Sequence, residues 1–380
     1  MTMSNPTQQA VAASHVFDGT MMHRNAAVLI QDGKISNLLP RAELPHGIHV
    51  ETLADGLWLI PGFIDLQVNG GGDVLFNDKP TPDGIATIAA AHRKFGTSSL
   101  LPTLITDTPE KMRTALAAAR EARRNQPGVL GIHLEGPFLS PNRPGVHAIR
   151  HIRAPQPADF EMLTTANVGA ILLTLAPEEV PPGFIRRLVA AGIRVSLGHS
   201  MATYEQTRAA IAEGLTGFTH LFNAMPPLQS RAPGPIAAAL ETAEIFYSLI
   251  VDGIHVDPTM LRLALRGAGC PILVTDAMPP VGGSVKNFKL YDDEISVTAD
   301  RCLRNGTLAG AILDMATAVR NCVRLLDVPL ERALTFASVH PAIFLGLGES
   351  LGRLVPGFRA DLVALDPETI QVVRTWVAGQ

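Results

Sequence analysis

Apolar residues along this chain gather in short runs, separated by stretches in which Ala, Leu and Arg mix with polar residues. Eight runs follow one another through the middle: Trp58 to Val68, Ser98 to Ile105, Val129 to Leu134, Gly169 to Leu175, Ile193 to Leu197, Gly217 to Leu221, Ile245 to Ile254 and Pro271 to Thr275. The intervening segments, such as Pro109 to Arg124, Phe184 to Ala191, Thr203 to Glu213 and Pro258 to Gly267, are good helix formers with mixed faces. Strand-like runs that alternate with helices indicate parallel strands joined by crossover helices, and eight of them fit a closed (β/α)8 barrel of the TIM type. An open doubly wound sheet would usually carry a GxGxxG loop after its first strand, and Asn69-Gly-Gly-Gly72 lacks that spacing.

The two ends have a different texture. Ala26 to Gln31 and Lys34 to Leu39 flank Asp32-Gly33, a dipeptide suited to a two-residue hairpin. Asp361 to Leu365 and Ile370 to Val377 flank a turn at Asp366-Pro367. Chain termini often lie close together, so both ends are expected to pair in one small β-sandwich, residues 1–57 with 353–380, around a catalytic barrel over 58–352. Pro279 to Asn305 is the least regular insertion and is expected to be a mobile flap.

Charge narrows the partners. With 31 basic and 35 acidic side chains and no basic run, the chain is a poor ligand for nucleic acid. No apolar run is long enough to span a bilayer, and Met1 to Ala13 lacks the pattern of a signal peptide, so a cytoplasmic, membrane-free protein is expected. Cys270, Cys302 and Cys322 form no CxxC pair and read as reduced core thiols.

Catalytic groups of such barrels come from the carboxyl ends of the strands. Reading each run to its end gives Gln67 and Asn69, then Glu135, His199, His220, His255 and Asp276. Glu135, His199 and His220 would supply three ligands to a divalent ion. A fourth coordination position would be left for water, whose proton Asp276 could take. The same groups could instead make a buried hydrogen-bonded network, and spacing does not choose between the two.

Local motifs add a resemblance. In order stand Pro61-Gly-Phe-Ile-Asp-Leu-Gln-Val-Asn-Gly70, His133-Leu-Glu-Gly-Pro-Phe138, Gly198-His-Ser200, Thr219-His-Leu-Phe-Asn-Ala-Met225, Asp252-Gly-Ile-His255, Thr275-Asp-Ala277 and Leu308-Ala-Gly310, with Val355-Pro-Gly-Phe-Arg-Ala-Asp361 near the end. Together they resemble the N-acetylglucosamine-6-phosphate deacetylase family of the amidohydrolase superfamily over nearly the whole chain. The resemblance implies a barrel with a small β-sandwich from both termini. It also implies Glu135, His199 and His220 as metal ligands, Asp276 as general acid/base, and His255 as a group that assists at the oxyanion. Asn223, Ala224 and Arg231 would hold the sugar phosphate, Val146 and His147 would touch the sugar, and Leu308, Ala309 and Gly310 would complete the pocket. A homodimer with shared active sites is implied too, one subunit lending the segment Asp252, Gly253, Ile254 and His255 to its partner.

Many relatives carry His-x-His where this chain has Gln67 and Asn69, and neutral amides are weak ligands for zinc or iron. One ion per active site is therefore expected, zinc first, with iron, cobalt or manganese compatible with the same donors. His133 should point to the same side as Glu135. The implied reaction is hydrolysis of the N-acetyl amide of N-acetylglucosamine 6-phosphate to glucosamine 6-phosphate and acetate. The alternatives are another amidohydrolase with a different amide substrate, or a non-catalytic sugar-phosphate-binding relative.

Overall fold

The computed structural model describes residues 8–380; the first seven residues of the segment Met1 to Ala13 lie outside them. Eight parallel strands form one sheet in chain order: Phe63–Val68, Thr97–Ile105, Gly131–Glu135, Ala170–Leu175, Arg194–Leu197, Gly217–Phe218, Phe246–Leu249 and Cys270–Leu273. The first strand meets the segment beyond the eighth, where the Asn69 and Gly70 amides donate to the Ala277 carbonyl at 3.0 and 2.9 Å, so the sheet curls into a barrel. Every residue of Thr97–Ile105 is buried, as expected for a strand covered on both faces.

The helices start where the sequence supplies caps. Thr108 accepts from the Lys111 amide ahead of Pro109–Asn125, Thr203 and Gln206 form a capping box before Tyr204–Ala212, and Asp314 accepts from the Thr317 amide before Met315–Leu326. Each cap fixes where a crossover turns back, and so fixes the height of the loops above the strand ends.

Both termini meet in a seven-stranded sheet ordered Gln371–Trp376, Leu362–Asp366, Trp58–Pro61, Gln8–Phe17, Met22–Gln31 and Lys34–Pro40, with His49–Thr52 pairing alongside Gln8–Phe17. Its core holds Val16, Val28, Ile30, Leu59, Leu362 and Trp376. Asp32 and Gly33 both have positive φ, 52° and 75°, as the hairpin expectation requires.

Two expectations need correction. The run Trp58 to Val68 is two strands: Trp58–Pro61 belongs to the terminal sheet and Phe63–Val68 to the barrel. The chain crosses at Gly62, where a Cβ would stand 2.3 Å from Ser98 Oγ. Pro279 to Asn305 contains regular structure. Asn287–Leu290, Asp293–Val297, Arg301–Arg304 and Thr307–Ala311 form a four-stranded antiparallel sheet, whose apolar face (Leu290, Ile295, Cys302, Ala309) packs on Leu75, Ile105 and Met278. Period-two alternation at Phe288/Leu290 and Ile295/Val297 is the signal for those strands.

Candidate metal and active site

Glu135 is the last residue of the third barrel strand, and His199, His220 and Asp276 follow the fifth, sixth and eighth within a few residues. The last three adopt left-handed backbone, with φ of 48°, 35° and 50°. Such a bend directly after a strand swings the side chain over the mouth of the barrel instead of into its wall. Non-glycine residues pay about 1–3 kcal/mol for such strained conformations.

The side chains converge. His199 Nε2 and His220 Nε2 lie 3.2 and 3.0 Å from the same oxygen, Glu135 Oε1, and 3.1 Å from each other. His199 Nδ1 is 2.9 Å from the Arg143 carbonyl, which accepts its proton and leaves Nε2 as a lone pair aimed at the cluster. His220 Nδ1 has no partner. Three electron-pair donors this close call for a cation between them. Ligands about 2.0–2.1 Å from a tetrahedral zinc ion stand roughly 3.3 Å apart, close to the spacing found. The residues therefore fit a divalent metal.

Electrostatics agree with the geometry. Burial alone would push the Glu135 carboxyl up, but the imidazoles of His199 and His220 set against it hold it well below the usual range. Burial opposes charge on His220 as well, and the facing Glu135 carboxylate overcomes it, raising the imidazole. Asp276 is raised to about 6, by burial first and then by the nearby Glu135 charge; a cation in the cluster would pull it back down.

Gln67 Nε2 lies 3.1 Å from Glu135 Oε1 and 3.1 Å from Asp276 Oδ1, and Asn69 Nδ2 donates to Asp276 Oδ1 at 2.7 Å. Both amides thus act as donors to the carboxylates. His133 sits lower in the barrel, 2.7 Å from Thr174 Oγ1 in a chain of hydroxyls that continues to Thr219 and Ser196. Burial holds it down to about 4, so it is a neutral support.

A cavity of about 190 Å³ opens above these groups, lined by Asn69, Glu135, Val146, His147, His199, His220, Asn223, Ala224, His255, Asp276, Leu308 and Gly310. Ile105, Gly145, Ile250 and Met278 complete the wall, and none of them carries a polar side chain that the sequence could have flagged. Ala309 is buried beneath, Asp252, Gly253 and Ile254 lie outside the lining, and Arg231 is exposed on the loop beyond it. His255 belongs to the pocket of its own chain. Asp252 Oδ2 takes its Nδ1 at 2.6 Å and leaves Nε2 to the cavity.

A barrel with a buried Glu-His-His group and an acidic residue at its eighth strand end defines a class, that of metal-dependent hydrolases. The model of the amidohydrolase family matches residues 58–380, and the chain belongs to that family. Within it, the chain is 41% identical over 367 residues to an N-acetylgalactosamine-6-phosphate deacetylase of Shewanella, covering 94% of this chain and 91% of that one. It is 35% identical to the N-acetylglucosamine-6-phosphate deacetylase of Haemophilus influenzae, covering 94% of each. The crystal structure of N-acetylglucosamine-6-phosphate deacetylase from Pasteurella multocida superposes with a TM-score of 0.94 at 35% identity, over 98% of both chains. Among the described residues no helix is long and apolar enough to cross a membrane.

Proposed function

We propose that this protein hydrolyses the N-acetyl amide of N-acetylglucosamine 6-phosphate, giving glucosamine 6-phosphate and acetate. The observation that carries the reading is the meeting, in one cavity, of the Glu135, His199 and His220 group with Asp276, in a chain similar to deacetylases of sugar phosphates. One divalent ion, zinc first, would be held by Glu135, His199 and His220, and when bound it supplies Lewis acidity that polarises the acetyl carbonyl and acidifies water.

The rest of the work falls to side chains. Asp276 Oδ1 is occupied by Asn69 and Gln67, which leaves Oδ2 to take a proton as water oxygen bonds to the acetyl carbon. The same carboxyl then gives that proton to the nitrogen as the carbon–nitrogen bond breaks. His255, steadied by Asp252, presents Nε2 towards the oxygen that gains charge. Val146 and His147 meet the sugar, and Leu308, Ala309 and Gly310 shape the pocket beside it. Asn223 and Ala224 receive the phosphate, with Arg231 reaching it from its loop as a bidentate donor. A homodimer would cover the segment Asp252 to His255, beside which Leu263 and Leu325 are 48% and 36% exposed; sedimentation velocity tests it.

The 41% identity to a galactosamine-type enzyme favours a second reading, in which the C4 epimer is the better substrate. Acetate release from both 6-phosphates and from unphosphorylated N-acetylglucosamine decides the matter. Release confined to phosphorylated sugars supports the class of substrate, and the ratio of kcat/KM between the epimers assigns the sugar. No release from any of the three by folded, metal-loaded protein would overturn the proposal.

A further inference from the structure

One buried acid of the barrel has no part in the reaction scheme. Asp65 stands on the first barrel strand, two residues before Gln67, and is wholly buried. Burial raises its carboxyl to about 7, against the hydrogen bonds it accepts. Its oxygens gather three donors from two strands. Oδ1 accepts from the Gln67 amide at 3.2 Å and from the Thr275 amide at 3.3 Å, and Oδ2 lies 2.6 Å from the Thr275 hydroxyl. Since a carboxyl is costly to bury, the donors it collects show what it holds in place.

Thr275 immediately precedes Asp276. With its proton turned to Asp65 Oδ2, the Thr275 oxygen accepts from the Ala277 amide at 3.2 Å, so the clamp reaches both neighbours of Asp276. The Ala277 carbonyl takes the Asn69 and Gly70 amides, and the Asp276 carbonyl takes the Ala311 amide at 3.0 Å. Asp276 itself has a φ of 50°, a conformation that a residue with a Cβ keeps only where its surroundings over-determine it. The same Asp65 carboxyl ties down the backbone of Gln67, whose side chain donates to Asp276 Oδ1. Donor and acceptor therefore hang from one anchor.

We propose that Asp65 is a positioning residue for the reaction: acting through Thr275 and the Gln67 amide, it holds Asp276 bent over the cavity, with Oδ1 engaged and Oδ2 free for the proton. The placement of Asp276 is a matter of geometry; its effect on turnover rests on the functional reading above. Misplacing a proton-transfer group by about 1 Å costs on the order of a hundredfold in rate, and it leaves the contacts that bind the sugar phosphate untouched. The loss therefore falls on kcat and not on KM.

Thr275→Val has the shape of the parent side chain without the hydroxyl. In zinc-loaded protein its kcat for the preferred sugar phosphate is expected to fall about ten- to a hundredfold, with KM and bound metal near the parent's, and Thr275→Ser is expected to restore most of the rate. At the anchor, Asp65→Leu should show the same split. Asp65→Asn, whose carbonyl keeps both amide donors and whose NH2 reaches Thr275 Oγ1, should stay within about threefold of the parent. Should Asp65→Leu fail to fold, the Thr275 pair and Asp65→Asn carry the test. Parental kcat in Thr275→Val overturns the assignment, as does a lower rate explained by a raised KM or lost metal, or an Asp65→Asn protein as slow as Thr275→Val. Crystal structures of the zinc-loaded parent and Thr275→Val give a readout that needs no turnover: Asp276 is expected to leave its left-handed bend in the variant, and an unmoved Asp276 overturns the inference. Failure of the parent protein to hydrolyse any of the sugars overturns the functional reading alone, since those structures still decide what Asp65 holds.

Discussion

The amide nitrogen of Gln67 donates to Glu135 at 3.1 Å, and by the same group it reaches Asp276 at 3.1 Å, so one neutral side chain joins the two acidic residues of the site. A second cation would have to compete with that donor for both carboxylates. Quantification of bound metal is therefore expected to give about one ion per chain. Replacing Gln67 and Asn69 together by histidine, a far better ligand than an amide, should raise the content towards two. A double variant that still binds one ion would show that something other than these amides limits the site.

Asp276→Asn keeps the hydrogen-bonding shape of the side chain but cannot take up a proton in the same way. Turnover is expected to fall about a hundredfold or more, with metal content and thermal unfolding close to the parent's. Near-parental turnover would assign the proton transfer elsewhere.

The Glu135, His199 and His220 group links folding to metal. Removing the ion with a chelator should lower stability by about 3–4 kcal/mol where free metal had stood a few hundred to a thousand times above Kd, read as a fall in unfolding temperature that added zinc reverses. His199→Ala should lose the ion, the activity and this response together. A variant that still gains stability from zinc would show that His199 is not a ligand.

Gly131 opens the third barrel strand where it runs against the fourth, and a Cβ there would stand 1.8 Å from the Ala170 carbonyl oxygen. Since the obstacle is backbone and not a flexible side chain, Gly131→Ala should destabilise by about 1–3 kcal/mol or more, measured by denaturant unfolding. Parental stability would mean that the two strands can part without loss.

Much of this was legible in the chain because the barrel rule turns position into role. Once Phe63–Val68, Gly131–Glu135 and the later strands are located, the polar residues at their carboxyl ends are candidates by construction, and Glu135, His199, His220, His255 and Asp276 all line the cavity. What stayed hidden depends on contacts distant in sequence. Gln8–Phe17, the central strand of the terminal sheet, is mostly alanine and polar residues, and it becomes a strand because Met22–Gln31 and Trp58–Pro61 flank it. Thr106 and Tyr291 are 185 positions apart, and no local pattern announces that they touch. His133 resembles a ligand in spacing, and only its hydroxyl partners show that it supports from below.

The left-handed backbone at His199, His220 and Asp276 sets a limit on how this protein can be hardened against heat. Those are positions where a glycine relieves torsion, so a screen that selects for thermostability alone would drift towards substitutions there and arrive at a sturdier but inert barrel. Robust variants will have to draw their gains from the terminal sheet and the outer helices, and leave the rim as taut as it is.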